Sequence, residues 1–410
     1  MARPSSNQSV PPPSARADAV PSPADARVPA RRVEHAVSRV VYLVTEDWYF
    51  VSHRLPMARA ARAAGFQVHV ATRVDRHRAA IEAEGFALHP ISWRRGSLDP
   101  RDLLRVVREV RQLYRDIEPD LAHHVALPAT VVGSLAATGL AVACVNAMTG
   151  LGTMFISDSA KIRMARAGLT LTLRWLLNRS RSAVLVQNLD DRALIQRLGV
   201  ADERIALIPG SGVDVDKLTP QGEPAGPITI AFVGRLVESK GIRTLIAAHE
   251  RLSERGCDIR LLIAGLPDTA NRASISPQEI EAWRRRPHVS HLGFVDDIAA
   301  LWSGAHIAVL PSHREGMPLS LLEAAACGRP LIATEVPGCR DIARSGINAL
   351  LVPRDDADAL ADAIERLARD GELRHRFGQA SRELVEREFS SARIGRDVVS
   401  LYRHLLERAG

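Results

Sequence analysis

The sequence has few cysteines, few aromatic residues and no long apolar run. Of its 410 residues, 4 are cysteine and 4% are Phe, Trp or Tyr. The cysteines are too scattered for a zinc site or a disulfide framework and fit a reduced compartment; they are Cys144, Cys257, Cys327 and Cys339. No run of about 18 uncharged apolar residues occurs, so the sequence predicts no membrane-spanning helix.

The overall composition is that of a globular protein with an excess of positive charge. Apolar residues make up 46% of the sequence and charged residues 25%, and the length suggests two or three domains. The net charge of +7 suits an anionic partner such as a nucleotide, a nucleic acid or a membrane surface. Because no alternation of aromatic and basic residues supports nucleic-acid binding, we predict no nucleic-acid partner.

The amino-terminal segment has almost no large apolar residues. Residues 1–38 are rich in Pro, Ala, Ser and Arg, a composition that cannot bury enough surface to fold. The stretch from Val10 to Ala30 lacks the apolar core of a secretory signal. We therefore predict a disordered leader over residues 1–38.

From Arg39 onward, short apolar runs alternate with helical patterns, which predicts parallel sheets. We expect two Rossmann-like domains, over residues 39–205 and 206–389, with Ile205 beginning the second half. The last helices are amphipathic, and residues 390–410 are expected to form a helix that returns to the first domain.

The first half lacks the G-x-G-x-x-G pattern that nicotinamide and flavin proteins use to hold a pyrophosphate. Its first strand is instead followed by a predicted loop that carries Glu46, Asp47 and His53. His123 and His124 are expected at the end of another strand, on the same rim, and only one of the two can point to a given face. A single such histidine is more often structural, but three on one rim favour a ligand site.

The most informative stretch runs from Ala308 to Ile342 and reads as strand, loop, helix and strand. Glu315 precedes the helix and Glu323 lies about one turn inside it, so both carboxylates can face the crevice at the carboxyl end of the strand. The amides of residues 316, 317, 319 and 320 form an anion site at the helix start. The alternative is a pair of ordinary surface acids, which a helix start also favours.

Two cations lie in the loop from Gly234 to Gly241, which joins a strand to a helix. Arg235 and Lys240 are placed to meet a diphosphate, although a solvated surface loop is the alternative. A nucleotide sugar accounts for both sets of residues, because its hydroxyls donate to carboxylates while its diphosphate needs amides and cations.

A basic helix is predicted from Lys161 to Ser182, where leucines and one tryptophan alternate with arginines. Such a helix could lie on an anionic bilayer. We favour the interpretation in which its leucines pack on the sheet and its arginines face water.

Several motifs in order resemble glycosyltransferase family 4, whose members have the α/β GT-B fold. The resemblance extends from Arg39 to Leu406 and includes Gly210 to Asp214, Gly234-Arg235, Lys240-Gly241, Gly293 to Val295, Glu315 to Pro318, and Glu323. Thr45 to Pro56, Glu323 to Gly328 and Val336 to Asp341 are similar to a bacterial subgroup that adds sugars to polyprenyl-diphosphate-linked glycans or polysaccharides.

This resemblance implies two Rossmann-like domains facing across a cleft and a retaining, metal-independent transfer of a hexosyl unit without a cofactor. The implied partners are a nucleoside diphosphate sugar, with a UDP-sugar favoured, and a glycan or lipid-diphosphate acceptor. The implied catalytic residues are Glu315, His123 or His124, Arg235 and Lys240. The implied donor-binding residues are Glu323, Gly234, Gly293, Phe294, Val295, Gly316, Met317, Pro318 and Leu319.

The sequence departs from the family after the first strand. Many members have a Gly-Gly loop there, whereas this chain has Glu46-Asp47-Trp48. We therefore predict that Asp47, His53 and Arg54 lie on the acceptor side, with Arg54 and the basic helix facing a lipid diphosphate. The expected location is cytoplasmic, with peripheral contact at the inner face of the cytoplasmic membrane.

Two alternatives stay open at this stage. A nucleotide-sugar 2-epimerase on the same scaffold would isomerise the sugar without an acceptor. A non-catalytic nucleotide-sugar-binding subunit would bind the donor without turnover.

Overall fold

The structure is a computed structural model that describes residues 37–94, 99–149, 160–269, 271 and 273–408. For residues 160–167 it describes the backbone alone. The predicted leader lies outside the described residues except for its last two positions.

The first half of the described chain forms a seven-stranded parallel sheet in the order β3-β2-β1-β4-β5-β6-β7. Its strands are β1 Arg39–Glu46, β2 Gln67–Arg73, β3 Ala87–Pro90, β4 Leu121–Val125, β5 Ala143–Ala147, β6 Ser182–Val186 and β7 Ile205–Leu207. Its helices are α1 Asp47–His53, α2 Leu55–Ala63, α3 Arg78–Glu82, α4 Pro100–Ile117, α5 Ala126–Ala136, α6 Ala160–Leu177 and α7 Leu189–Arg197. Helices cover both faces, which is why Val40 to Val44 is a continuous buried run.

The second half forms a six-stranded parallel sheet in the order β10-β9-β8-β11-β12-β13. Its strands are β8 Ile228–Val233, β9 Ile259–Ala264, β10 Val289–Gly293, β11 Ile307–Leu310, β12 Leu331–Thr334 and β13 Ala349–Val352. Its helices are α8 Ile242–Glu254, α9 Pro277–Arg284, α10 Ile298–Ser303, α11 Leu319–Ala326, α12 Cys339–Ile342, α13 Ala357–Arg369 and α14 Gly371–Leu384. The predicted α/β fold with two Rossmann-like domains is confirmed.

The chain then passes through a π-helical turn, Val385–Phe389, into α15 Ser391–Glu407. Helix α15 packs on α2 of the first half, as predicted. The two helices approach closely because Gly395 has no side chain; a Cβ there would lie 2.6 Å from the Ala60 Cβ. The side chains of Val398 and Tyr402 complete the first core.

Two local predictions are wrong. The segment after β1 is the helix α1 and not a loop, since buried Asp47 anchors its first turn and Phe50 packs edge-on against Tyr42. Ile205 does not begin the second half, because β7 pairs in parallel with β6 as the last strand of the first sheet. The domain boundaries themselves stay a prediction.

Helix α6 combines a buried and an exposed side. Leu173, Leu176 and Leu177 are buried, as expected of a helix packed on the sheet, whereas Leu171 and Trp175 are 67% and 55% exposed. Within the described ranges, no helix has both the length and the hydropathy that crossing a membrane requires.

Candidate active site

The site is built around an ion pair between two loops of the second domain. Lys240 lies in the loop between β8 and α8, and Glu315 lies in the loop between β11 and α11. Lys240 Nζ is 2.6 Å from Glu315 Oε1, which also accepts a 2.6 Å hydrogen bond from Ser312 Oγ. Both charged side chains are largely buried. The pair therefore joins the two loops at the carboxyl edge of the sheet.

Two glycines allow these loops to meet. Gly241 has a φ of 67°, and a Cβ there would collide with the carbonyl oxygen of Pro311. Gly338 has a φ of 79°, and a Cβ there would lie 2.6 Å from the carbonyl oxygen of Glu315. Since both positions are left-handed and leave no space for a side chain, the sequence fixes this approach with glycine.

The amino-terminal end of α11 is open. In the described part of the chain, the amides of Gly316, Met317, Leu319 and Ser320 donate to no protein acceptor. Pro318 precedes the helix and offers no side-chain cap. The side chains of Met317 and Pro318 are buried, so these two residues can offer only backbone atoms to a ligand. Four unpaired amides at a helix start form a site for an anion such as phosphate.

Glu323 lies in α11, one turn beyond this open end. Burial raises the pKa of its carboxyl group to about 8. The carboxyl group is therefore largely protonated at neutral pH in the free protein. A ligand that donates hydrogen bonds to Glu323 would favour the ionised form.

Arg235 extends from the loop after β8 and is exposed. Its Nη1 is 2.6 Å from Asp268 Oδ2, and Asp268 is buried. Burial is the first cause of the lowered pKa of His53 on α1 of the first domain, followed by the charge of Arg54, and the charges of Lys240 and Arg235 act in the same direction.

The predicted base-binding residues lie at the neighbouring strand ends. Gly265, after β9, donates its amide to the Gly293 carbonyl at 2.7 Å, and a Cβ on Gly265 would collide with the carbonyl oxygen of Gly234. These contacts bring Gly234 and Gly293 to one edge of the sheet. Phe294 beside them is 68% exposed, and Val295 is half-buried.

His123 and His124 do not occupy the predicted rim. Both lie inside β4 and are fully buried. His123 Nδ1 is 2.5 Å from Tyr402 Oη of α15, whereas His124 bonds on the opposite face to Asn146 Oδ1 at 2.8 Å. Burial is the first cause of the lowered pKa of both imidazoles. The rim position was wrong because helices cover both faces of this central strand.

Two of the predicted acceptor-side residues are also buried. The carboxylate of Asp47 is fully buried and accepts the amides of Trp48, Asp75 and His77. Burial acts to raise its pKa, but these backbone donors lower it overall. Arg54 is fully buried beside Met57, so the expectation that it faces a lipid diphosphate is wrong.

The third predicted acceptor-side residue, His53, is only half-buried. Its ring stacks on Tyr49 with 4.3 Å between centroids and 7° between planes. His53 Nδ1 is 2.6 Å from Ser52 Oγ. Burial, followed by the charges of Arg54, Lys240 and Arg235, lowers the imidazole pKa to about 3.

The sequence did not predict the contacts that tie the first domain to the loop before α11. Asn188 Nδ2 donates to the Gly316 carbonyl at 2.8 Å, and Arg314 Nη2 lies 2.7 Å from Asp191 Oδ1. Arg340 of α12 pairs with Asp190, which lies beside Asp191 on α7. The one available signal was the Asn188 cap, whose side chain accepts the Asp191 amide at 2.8 Å.

Two family models match the chain. The model described as "Glycosyl transferases group 1" matches residues 216–384, and the model described as "Glycosyl transferase 4-like" matches residues 39–188. Together they cover more than three quarters of the sequence. The first match contains every strand of the second sheet and all of the loops that form the ion pair.

Individual relatives agree with the family models. The capsular polysaccharide biosynthesis glycosyltransferase CapM of Staphylococcus aureus is 33% identical over 180 residues, which are 44% of this chain and 47% of CapM. The N,N'-diacetylbacillosaminyl-diphospho-undecaprenol alpha-1,3-N-acetylgalactosaminyltransferase of Campylobacter jejuni is 23% identical over 336 residues, which are 78% of this chain and 87% of that relative. The chain thus spans about half the length of the first relative and most of the second.

Solved structures show the same fold. HepE of Anabaena, in complex with UDP and glucose, superposes with a TM-score of 0.73 at 18% identity, covering 88% of this chain and 98% of HepE. One assignment follows from this likeness, from the two parallel sheets flanked by helices and from the two family matches. The chain belongs to glycosyltransferase family 4 and has the GT-B fold.

Proposed function

We propose that the protein is a retaining glycosyltransferase. It moves a hexosyl unit from a nucleoside diphosphate sugar to a glycan or polyprenyl-diphosphate-linked acceptor in the synthesis of a surface polysaccharide or glycoconjugate. The observation that carries this proposal is the Lys240–Glu315 pair beside the open start of α11. A cation, a carboxylate and free amides at one edge match the diphosphate and the sugar hydroxyls of such a donor.

Each part of the donor has a counterpart in the second domain. The four free amides at and just before the start of α11, together with Lys240 and Arg235, bind the diphosphate. Glu323 accepts hydrogen bonds from the ribose hydroxyls, and Glu315 accepts them from the hydroxyls of the transferred hexose. Gly293 to Val295 border the base. A UDP-sugar is the first candidate, since HepE was solved with UDP and glucose.

In the proposed reaction, the bond between the anomeric carbon and the β-phosphate oxygen breaks, and its electron pair stays with the diphosphate. The acceptor oxygen forms the new bond on the same face of the sugar, and its proton passes to the leaving diphosphate. Negative charge builds on the phosphate while positive charge develops on the ring. Fixed cations and amides stabilise that leaving group, so the proposal requires no metal ion.

The acceptor side includes a candidate membrane contact on α6. Leu171 and Trp175 are exposed on this helix next to Arg174. An exposed aromatic and a leucine beside a cation suit the interface of an anionic bilayer, where a polyprenyl-linked acceptor would be found. We propose peripheral binding at the inner face of the cytoplasmic membrane. Equal binding of the protein to neutral and anionic vesicles would argue against it.

Nothing in the comparisons favours the epimerase alternative. An epimerase would convert the donor sugar without an acceptor, whereas a transferase consumes the donor and extends an acceptor. A silent binding subunit would do neither.

The test is a screen of nucleoside diphosphate sugars for thermal stabilisation, hydrolysis and transfer. With the active donor, we expect Lys240→Ala and Glu315→Gln each to lower transfer by about 100-fold or more, because each removes a group that contacts the diphosphate or the hexose. Lys217→Ala and Glu372→Gln are matched controls, since both residues are exposed and lie outside the site. Full transfer by either site variant, with the fold intact, would refute the proposal.

A further inference from the structure

A side chain of the first domain holds the peptide group that joins Gly316 to Met317. Asn188 caps α7 and is 2% exposed. Its Nδ2 donates a hydrogen bond to the Gly316 carbonyl at 2.8 Å. Gly316 and Met317 belong to the segment just before α11, where the free amides begin. The first domain thus binds the backbone from which the second domain presents these amides.

The groups around Asn188 fix which of its atoms faces Gly316. The backbone amide of Asp191 can only donate, so the Asn188 atom 2.8 Å from it is the carbonyl oxygen, Oδ1. The other atom is then Nδ2, which donates to the Gly316 carbonyl and, at 3.1 Å, to Asp191 Oδ2. Turning the side-chain amide by 180° would place an acceptor against the Gly316 carbonyl and a donor against the Asp191 amide.

This contact sets the direction of the Met317 amide. The carbonyl of Gly316 and the N–H of Met317 belong to one planar, trans peptide group, so they point in opposite directions. With the carbonyl held by Asn188, the N–H of Met317 faces away from that side chain. In the described part of the chain this N–H has no protein acceptor. Asn188 therefore leaves the Met317 amide free to meet a ligand.

Two glycines let the surrounding backbone approach the same peptide group. Gly210, in the loop after β7, has a φ of 73°, and a Cβ there would lie 2.6 Å from the Met317 Cγ. A Cβ on Gly338 would lie 2.7 Å from the Gly316 carbonyl oxygen. Both positions are left-handed and have no room for a side chain. The peptide is therefore enclosed by α7, the loop after β7 and the turn before α12.

We propose that Asn188 is a positioning residue for the donor: it holds the Gly316 carbonyl so that the Met317 amide binds the diphosphate. Without this contact, rotation of the peptide would turn the amide away from the phosphate and bring a carbonyl oxygen toward it. The carbonyl dipole repels an anion, whereas an amide binds one. The inference rests on the proposed function, which supplies the diphosphate.

The binding test uses Asn188→Ser. Serine keeps an acceptor for the Asp191 amide, but its side chain is too short to reach the Gly316 carbonyl as well. We expect the affinity for UDP to fall about 10-fold, because a hydrogen bond to a charged group is weakened. The affinity for uridine, which has no phosphate, should stay unchanged. Asp370→Ser changes the exposed cap of α14 in the same way and, as the matched control, should alter neither affinity.

Crystal structures test the orientation of the peptide directly. In ligand-free Asn188→Ser we expect the Gly316–Met317 peptide to be rotated or to occupy two orientations, with α7 in place. In the wild-type protein with UDP we expect a phosphate oxygen on the Met317 amide while the Gly316 carbonyl stays on Asn188. The second structure needs no variant, so it decides the matter even if Asn188→Ser does not fold.

Three results would overturn the inference. The first is an Asn188→Ser variant that binds UDP as tightly as the wild-type protein or keeps the peptide in its original orientation. The second is an equal loss of affinity for UDP and uridine, which would show a general loosening of the site. The third is a wild-type UDP complex in which the Met317 amide contacts no phosphate oxygen.

The failure of this inference can be told from the failure of the proposed function. If Asn188→Ser binds UDP normally while Lys240→Ala does not transfer, the inference fails and the proposed function stands. If the wild-type protein neither hydrolyses nor transfers any nucleoside diphosphate sugar, the proposed function fails. The ligand-free crystal structures then still decide whether Asn188 holds the peptide.

Discussion

At the scale of single residues, burial distinguishes the side chains that can meet a ligand from those that hold the fold. Motif spacing was enough to predict that Lys240 and Glu315 belong together, because both lie in loops at the same edge of a sheet. Spacing could not separate His53 from His123, since the residue that covers His123 is Tyr402, 279 positions away. The environment of a histidine therefore depended on long-range packing that a local pattern does not contain.

Glu323 gives a pH-dependent prediction at this scale. Burial raises its pKa to about 8, so below that pH the folded, ligand-free protein carries one proton that bound ribose hydroxyls would displace. Because the ionised carboxylate is the stronger acceptor and offers both oxygens to the hydroxyls, the affinity for UDP should rise with pH, by up to about tenfold per unit between pH ~6 and pH ~8, and then level off.

Isothermal titration calorimetry across this range checks the prediction. The matched control is Glu323→Gln, which cannot ionise and should lose the rise. An affinity that falls with increasing pH, or an identical profile in the two proteins, would contradict the proposed role of Glu323.

At the scale of elements, most strands and helices followed from the sequence, whereas α1 did not. Its segment Asp47 to His53 carries three aromatic residues without a clear helical period, so it was predicted to be a loop. The helix forms because Asp47 caps amides of another loop and Phe50 enters the core. Both are tertiary contacts, which helix propensity along the local sequence does not predict.

A second prediction concerns helix α7, whose amino-terminal end contacts the loop before α11. Asp191 is buried, and Arg314, one residue before Glu315, lies 2.7 Å from it. We expect Arg314→Ala to raise the donor KM about tenfold, since the loop loses its contact with the first domain. The buried carboxylate of Asp191 also loses the charge of Arg314 as a partner.

Steady-state kinetics with the active donor would measure this effect, with Arg354→Ala, an exposed arginine after β13, as the control. In a double-mutant cycle with Asp191→Asn, the two changes should not be additive. Additive effects would show that the contact does not position the loop.

At the scale of the whole molecule, the alternation of strands and helices predicted two Rossmann-like domains and a returning last helix, and both are confirmed. The strand order and the contacts between domains could not be predicted. They depend on which sheet edge β7 joins and on how α7 meets the loop before α11, and both involve residues far apart in sequence. The contacts of α7 join the first domain to the loop that we propose binds the donor.

A crystal structure of the full chain with UDP would test the central claim most directly. We expect the diphosphate oxygens within hydrogen-bonding distance of the amides of Gly316, Met317 and Leu319 and of Lys240 Nζ, with the ribose hydroxyls on the Glu323 carboxylate. A diphosphate bound away from the start of α11, with the Lys240–Glu315 pair untouched, would contradict the account.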